Sequence, residues 1–434
     1  MTHTYSTRLI AVVFICAIAP LMTAAAFELP LGPAMLPGLA AAAAAILYKG
    51  APVSFVSRTI LKGMSRSRAI AWLLVFIGLL LPAWTYAGIV DDLNQLFLAG
   101  VHPGFFLTAS FLIATVMSLT VGSAVGSLSI VGIPLIGAGT ALGVSPFLLG
   151  GALVSGAFVG DRTSPLSSSF QLLAFASGLT TRDHLRTITP TLLISVPLTA
   201  CLFLVIDLLS APRTGLADEA MPAAGPLFLS LLPPLLLLGL IVRGKSMYTC
   251  FTAAIAAGSA IAFLRGGDPI SWIIVLWRGT ERVNGLMDML PFVLFILIVG
   301  AFCQLLEDTD MLQPLLKKVF HGSESLSTAT LKTTGAAASV ALVSPNQSFP
   351  ILLAGRTMLP YWRQSYGASH LARILADSTV VFAGLVPWSL LAILCSTIIQ
   401  VPVTAYAPAA VFLWLSPFVT AAYSSWLSAS TRHS

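Results

Sequence analysis

Long apolar runs separated by short polar stretches extend over nearly the whole chain. Two of them, residues 9–27 and 36–48, come before the first strongly basic stretch, and similar runs recur toward the C-terminus. A helix needs roughly 17–25 apolar residues to cross the hydrocarbon core of a bilayer. Isolated strands cannot cross, because their backbone groups would be unpaired in lipid. The pattern therefore predicts an all-α polytopic membrane protein with about 11–13 crossings or part-crossings.

Composition agrees with this class, since 57% of the 434 residues are hydrophobic and only 9% are charged. The first run can also be interpreted as a signal peptide, because Arg8 precedes it and residues 24–26 offer a small-residue cleavage site. Cleavage would leave the orientation of the second run unchanged. The five cysteines lie in apolar segments without paired spacing, which predicts neither a disulfide nor a soft-metal site.

The basic residues predict the orientation of the chain in the membrane. Five of them and no acid lie between Lys49 and Arg68, and basic loops stay on the cytoplasmic side. Two spans precede that loop, so the N-terminus should be cytoplasmic, and a bacterial cytoplasmic (inner) membrane is expected. The net charge of +6 is then a topology signal, and no nucleic-acid partner is predicted.

The chain also shows weak internal repetition. Asp161 and Asp377 interrupt apolar stretches 216 residues apart (377 − 161). The same spacing relates Pro134 to Pro350 and Gly139 to Gly355. Many transporters are built from two such repeats. We therefore predict an N-terminal half over residues 1–210, a polar connecting loop over residues 211–225, and a C-terminal half over residues 226–434.

Each half contains a segment rich in glycine and proline, residues 122–146 and 335–360. Interrupted helices are tolerated at membrane depth where they are buried in protein or line a watery cavity, so broken helices and re-entrant hairpins are expected. The second segment adds Ser344, Asn346 and Gln347, which we predict to line a cavity or bind substrate. Close helix packing through small residues is the alternative.

Asp161 is the first candidate ion site. A charge at bilayer depth costs from about 3 to more than 10 kcal/mol, so an intramembrane carboxylate is a functional hypothesis by default. Hard cations such as Na⁺ prefer oxygen ligands. Nearby hydroxyls that could supply them are those of Thr163, Ser164 and Ser167. An alternative is that Asp161 and Arg162 only form a neighbouring pair at a helix end.

The second candidate is Asp377, which is followed directly by Ser378 and Thr379. Na⁺ is therefore predicted to bind through Asp161 and Asp377. An ion pair between Arg373 and Asp377, four residues apart on a helix, is the alternative. Further candidates for lining a cavity or contacting an organic carboxylate are Arg162, Arg373 and Ser389.

Two strings resemble a known family. Residues 160–168 (Gly-Asp-Arg-Thr-Ser-Pro-Leu-Ser-Ser) and residues 376–389 resemble the signature regions of NhaC-type Na⁺/H⁺ antiporters in the ion-transporter superfamily. The resemblance implies inverted repeats, alternating access, and ion-site or proton-site roles. The positions carried over are Asp161, Ser164, Ser167, Asp377 and Ser378. The chain departs from the family pattern at Ser168 and Ala376, where acids are expected, and at Ser389, where asparagine is expected.

The leading functional hypothesis is secondary Na⁺/H⁺ antiport by alternating access, with no enzymatic activity and no cofactor. The alternative is Na⁺- or H⁺-coupled exchange of organic acids or amino acids. An intramembrane aspartyl protease is a remote alternative, because Asp161 lacks the Gly-x-Gly-Asp context expected of one such group. The expected partners are small ions or small organic anions and the lipid bilayer, and a homodimer is left open.

Overall fold

The computed structural model describes residues 5–27, 29–210, 224–280, 283–313, 325–344 and 346–430. The connecting loop expected at 211–225 falls almost entirely outside these residues. The helices of the first half are α1 (Thr7–Ala26), α2 (Leu31–Tyr48), α3 (Val53–Tyr86), α4 (Ile89–Gly100), α5 (Phe106–Val121), α6 (Ala124–Ala141), α7 (Pro146–Thr163), α8 (Ser168–Ser177) and α9 (Thr181–Leu209).

The second half is also helical, apart from an antiparallel hairpin of β1 (Gly279–Thr280) and β2 (Val283–Asn284). Its helices are α10 (Ala224–Val242), α11 (Met247–Leu264), α12 (Pro269–Arg278), α13 (Leu286–Asp308), α14 (Leu326–Val343), α15 (Ser348–Ser365), α16 (Ala368–Leu375), α17 (Leu390–Ile399), α18 (Val403–Tyr406) and α19 (Val411–Ser430). Short 3₁₀ turns occupy Pro103–Phe105 and Ala407–Ala409, and a π-helical turn follows α16 at Ala376–Val380.

Within the described residues, eight helices are long and apolar enough to cross a membrane: α1, α2, α3, α5 with its preceding turn, α6, α9, α11 and α13. The segment from α17 to residue 409 is bent by 89° at a short break, as in a broken span or a re-entrant loop. The all-α polytopic class is therefore confirmed. The expected total of 11–13 crossings and part-crossings stays a prediction.

The helices of the two halves pack in a reciprocal pattern. Helix α2 packs on α13 as α11 packs on α3, α6 packs on α17 as α15 packs on α8, and α7 packs on α19 as α16 packs on α9. The pairs α3–α13 and α9–α19 also pack together, and a 216-residue repeat would make the members of each pair equivalent. Two repeats related by a two-fold axis would produce this pattern. Whether the repeats are inverted stays a prediction.

Polar helix ends inside the bundle are capped by nearby side chains. Asp207 of α9 accepts hydrogen bonds from the amides of Leu107 (3.2 Å) and Thr108 (2.9 Å) at the start of α5. Ser123 caps α6 by accepting from the Gly126 amide at 3.2 Å. The first amides of a helix have no partner within the helix, so these caps let helices begin inside the protein.

Candidate ion-binding site

Asp161 lies near the C-terminal end of α7, where α7 is pressed against α5. The Ser118 hydroxyl donates to the Gly156 carbonyl at 2.8 Å and accepts from the Gly160 amide at 2.9 Å. A Cβ atom on Gly160 would lie 2.1 Å from the carbonyl carbon of Ser118, so this close approach requires glycine. The contact fixes the backbone directly before Asp161, which is only 6% exposed.

Neutral donors surround the Asp161 carboxylate. The Ser169 hydroxyl and the Gln347 side-chain amide both donate to Oδ2 at 3.1 Å, and the Ser167 hydroxyl lies 3.3 Å from Oδ1. Ser167 also donates to the backbone carbonyl of Asp161 at 2.6 Å. The backbone amide of Ala124, at the start of α6, also lies near the carboxylate. Among the described residues, no cationic side chain forms an ion pair with Asp161.

These donors stand at the beginnings of three helices. Ala124 is the first residue of α6, Ser167 caps α8 through the amides of Ser169 and Phe170, and Gln347 directly precedes α15. A helix N-terminus carries a partial positive charge. Three such ends stabilise a carboxylate without placing a full positive charge next to it. The hydroxyl, amide and carbonyl oxygens around Asp161 are ligands that a hard cation such as Na⁺ accepts.

Asp377 has a different environment. It lies in the π-helical turn after α16 and accepts from Arg162 Nε at 2.7 Å on one oxygen and from the Thr191 hydroxyl at 2.9 Å on the other. Arg162 Nη2 in turn donates to the Thr191 hydroxyl at 2.7 Å. Both charged side chains are only 1% exposed. Consecutive residues of an α-helix project about 100° apart. The Arg162 side chain therefore points toward Asp377, while the side chain of its neighbour Asp161 points in another direction.

Four of the predicted hydroxyl ligands are engaged elsewhere. Ser378 and Thr379 donate to carbonyls four residues earlier in their own helical segment, both at 2.6 Å. Ser164 donates to the Leu119 carbonyl at 2.9 Å, and Thr163 accepts from Arg162 at 3.3 Å. Hydroxyls within helices commonly bond back to the preceding turn. Of the predicted hydroxyls, the structure brings only Ser167 to Asp161.

The residues predicted to line a cavity also lie in different environments. Gln347 contacts Asp161, whereas the Asn346 side chain accepts from the amide of Ser348 at 3.0 Å. Ser344 donates to the Asn346 carbonyl at 3.1 Å. Ser389 is buried, and its hydroxyl has no hydrogen-bond partner among the described residues.

Arg373 contacts neutral groups instead of Asp377. Its guanidinium donates to Ser424 at 2.8 Å and Thr420 at 3.3 Å on α19, and it lies 4.8 Å from the centre of the Tyr423 ring. Nη2 is also 3.3 Å from His370 Nδ1. In the described part of the chain Arg373 and Asp377 make no ion-pair contact, so the helical pair considered as an alternative is not formed. The ion-pair partner of Asp377 is instead Arg162, which approaches from α7.

Sequence reasoning missed three contributors: Ser169, Thr191 and the Ala124 amide. A signal existed for Ser169, which follows Ser167 by two residues at the start of a helix and so shares its end. No local pattern connects Thr191 to Asp377, since the two are 186 residues apart and meet only through helix packing. The Ala124 amide could have been found only from the position of the α6 N-terminus.

A cavity of about 760 Å³ opens between α4, α6 and the end of α17. Its polar lining consists of Thr85, Asp91, Asn94, Gln95, Thr140 and Gln400. It reaches α6 at Ile133, nine residues beyond Ala124. At a rise of 1.5 Å per residue, that is about 14 Å along the helix. Helix α6 thus runs from the Asp161 site to this cavity.

Similar proteins identify the family of this chain. A sequence model of the Na⁺/H⁺ antiporter family matches residues 3–208 and 224–426. The chain belongs to the Na⁺/H⁺ antiporter family. The family resemblance expected from the two signature strings is thereby confirmed, and the match extends across both halves.

Individual relatives are antiporters. The chain is 28% identical to the Na⁺/H⁺ antiporter NhaC of Alkalihalophilus pseudofirmus, over 80% of each chain. It is 26% identical to NhaC of Bacillus subtilis, over 87% of this chain and 88% of that one. It is also 28% identical to the malate-2H⁺/Na⁺-lactate antiporter of Bacillus subtilis, over 83% of this chain and 81% of that one. These relatives are transporters, in agreement with the expectation of a transporter and not an enzyme.

Proposed function

We propose that this protein is a secondary Na⁺/H⁺ antiporter in which Na⁺ and H⁺ compete for Asp161. The observation that carries the proposal is a buried carboxylate whose surroundings are neutral donors and oxygens. Either ion would neutralise it, whereas an unoccupied, charged site resists exposure to the low-dielectric interior. Exchange follows, because only the two neutral forms of the site would change sides.

Asp377 is not the exchanging group in this proposal. Its charge is already balanced by Arg162 at 2.7 Å, with both side chains excluded from solvent. A guanidinium remains protonated at physiological pH, so this pair stays neutral throughout the cycle. One carboxylate, Asp161, is then left to bind the transported ion.

Alternating access is supported by the reciprocal packing together with the charge bias of the loops. The basic residues between Lys49 and Arg68, predicted as a loop, lie mostly in the first half of α3, and they would place the start of α1 in the cytoplasm. Arg182 and Arg186 would place the start of α9 there too, so that α10 begins on the opposite side. The two halves would then be inverted, and the cavity beside Thr85, at the end of α3, would face outward. Rocking of the halves could open the site to each side in turn.

Exchange of an organic acid is the second candidate function. It is favoured by Arg373, a buried guanidinium held by neutral groups, and by the relative whose name specifies malate and lactate. Counterflow separates the two candidates. Vesicles preloaded with lactate or malate should take up labelled substrate only if the protein exchanges organic anions, and an ion antiporter should ignore them.

The test of the main proposal is exchange in proteoliposomes under imposed Na⁺ and pH gradients. Asp161→Asn should reduce exchange to the level of protein-free vesicles. Asp207→Asn is the matched control, since Asp207 is also a buried aspartate but caps α5. This control should keep its exchange activity. Unchanged exchange by Asp161→Asn would remove Asp161 from the mechanism.

A further inference from the structure

The residue directly after the aspartate differs between the two halves, and this residue decides which aspartate has an ion-pair partner. The 216-residue spacing that relates Asp161 to Asp377 also relates Arg162 to Ser378 (378 − 162 = 216). Helix α7, which carries the first pair, packs on α19, and α16, which directly precedes the second pair, packs on α9. Arg162 of the first half therefore contacts the aspartate of the second half. In the described part of the chain, the Ser378 hydroxyl donates only to a carbonyl of its own helical segment.

We propose that Arg162 is a built-in cation that fills a second, latent Na⁺-binding site at Asp377. The proposal rests on the proposed function for the meaning of the first site, at Asp161. By filling this site, Arg162 limits the protein to one exchangeable cation. Removing the guanidinium while leaving the carboxylate should then create a site for a second alkali cation.

The atoms around the guanidinium are those that a hard cation would need. Its nitrogens contact a carboxylate oxygen of Asp377 at 2.7 Å and the Thr191 hydroxyl at 2.7 Å. They also contact the Thr163 hydroxyl at 3.3 Å and the Ile188 carbonyl at 3.4 Å. Carboxylate, hydroxyl and carbonyl oxygens are the ligand types preferred by hard cations. The four oxygens come from three different helical segments, so packing of the bundle holds them together.

Two other basic groups lie near this site, and neither replaces Arg162. Arg373 acts electrostatically on Asp377, but its own contacts are with Thr420, Ser424 and His370. His184 interacts electrostatically with Arg162 but makes no hydrogen bond to Asp377 in the described structure. A buried carboxylate that loses its only direct cationic partner must acquire a proton or a metal cation. High pH favours the metal cation.

The test counts bound Na⁺ by equilibrium binding of radioactive Na⁺ to purified protein at alkaline pH. Arg162→Ser, which places at this position the residue found in the other half, should raise the stoichiometry from one Na⁺ per chain to two. Arg162→Lys, which keeps a positive charge, should leave it at one. The double variant Arg162→Ser/Asp377→Asn should also return to one. A stoichiometry that stays at one in Arg162→Ser would overturn the proposal.

A second measurement covers the case in which Arg162→Ser folds poorly. Its melting temperature should rise by several degrees when Na⁺ replaces choline at equal ionic strength, because a ligand bound only by the folded state stabilises it. The rise should exceed that of wild type, and in Arg162→Ser/Asp377→Asn it should fall back to the wild-type size, since that variant keeps only the Asp161 site. Equal Na⁺ responses of wild type and Arg162→Ser would count against a latent site.

Failure of the proposed function is distinguishable from failure of this inference. The variant Asp161→Asn/Arg162→Ser retains only the Asp377 site and should bind one Na⁺. If wild-type protein binds no Na⁺ while this double variant binds one, the Asp161 proposal fails and the latent site stands. If wild type binds one and the double variant none, the proposed function survives and the latent site is excluded.

Discussion

The surroundings of Asp161 and Asp377 differ although both are buried aspartates in helical segments at matching places of the two predicted halves. Asp161 receives hydrogen bonds from hydroxyl and amide groups and has no ion-pair partner in the described residues. Asp377 is bound directly by Arg162. The difference teaches that burial of a charge does not by itself identify an ion site. The partner decides whether the charge is exchangeable or fixed.

The two aspartates also differ in how they connect the surrounding helices. The Arg162–Asp377 pair joins α7 of the first half to the helical segment after α16, and Thr191 adds a contact from α9. Such a pair fixes the relative positions of three segments around the centre of the bundle. Asp161, by comparison, is contacted by neutral hydroxyl and amide groups at helix beginnings, and the oxygens of these groups are suitable ligands for a cation.

Breaking the fixed pair should have the largest effect on stability. Asp377→Ala leaves the Arg162 guanidinium buried without a carboxylate, and losing one partner of a buried ion pair costs about 3–5 kcal/mol. A marked fall in melting temperature is expected in detergent. Asp161→Asn, which breaks no ion pair, should change it little. The comparison is wrong if the two variants melt alike.

The double variant Arg162→Met/Asp377→Leu sharpens this test. Apolar residues of similar size often replace a buried ion pair without loss of stability, because the desolvation cost of both charges disappears. The double variant should therefore recover most of the stability that Asp377→Ala loses. A double variant less stable than Asp377→Ala would show that the contribution of the pair is not mainly the cost of an unpaired charge.

A steric change at Gly160 should have an intermediate effect. Overpacking a tight site typically costs about 1–3 kcal/mol, and a Cβ on Gly160 would collide with the backbone of Ser118. Gly160→Ala should lower both the melting temperature and the Na⁺ affinity, because the backbone next to Asp161 is displaced. Gly335→Ala on α14 is the matched control, since no atom lies within 4 Å of its added Cβ. The control should behave as wild type.

Removing one amide from the Asp161 side should affect binding more than stability. A hydrogen bond to a charged group contributes about 1.5–3 kcal/mol, so Gln347→Leu should weaken Na⁺ binding by roughly tenfold or more. Isothermal titration with Na⁺ at alkaline pH measures this. Gln171→Leu removes an exposed amide that donates to the Pro165 carbonyl and should keep wild-type affinity. Equal affinities in both variants would exclude Gln347 from the site.

Loss of a single hydroxyl should give the smallest effect. Ser169→Ala removes one donor from Asp161 Oδ2 at 3.1 Å, but the single hydroxyl proton of Ser169 is shared with Gln347 Oε1 at 2.8 Å. The loss should therefore be closer to the roughly 0.5–1.5 kcal/mol of an ordinary hydrogen bond. A several-fold loss of Na⁺ affinity is expected. Ser416→Ala, at another buried serine that bonds only to a carbonyl of its own helix, serves as the control. If both serine variants bind Na⁺ equally, Ser169 does not contribute to the site.

Much of this organisation could be predicted from local sequence. Apolar run lengths predicted the helical membrane class, which the structure confirms. The weak 216-residue spacing predicted two halves, and the reciprocal helix packing is consistent with them, but the repeat stays a prediction. Ser167 was found because it lies in the same short motif as Asp161, where the end of one helix and the start of the next are close along the chain. Features set by nearby residues are readable in this way.

Features set by contacts between distant helices were not readable. Arg162 stands next to Asp161 in sequence, yet it pairs with Asp377, 215 residues away. Ser378 and Thr379 had the right chemistry for ion ligands, but their helical segment offers carbonyls that satisfy them first. Asp207 shows that an aspartate in an apolar run need not be an ion site, because its carboxylate caps a helix.

The most direct test of the central claim is release of protons when Na⁺ binds to purified protein in weakly buffered solution. If both ions compete for Asp161, adding Na⁺ near the pH of half-maximal exchange should release protons from wild type, and apparent Na⁺ affinity should fall as pH is lowered. Asp161→Asn should release none. Proton release by Asp161→Asn equal to that of wild type would contradict the account.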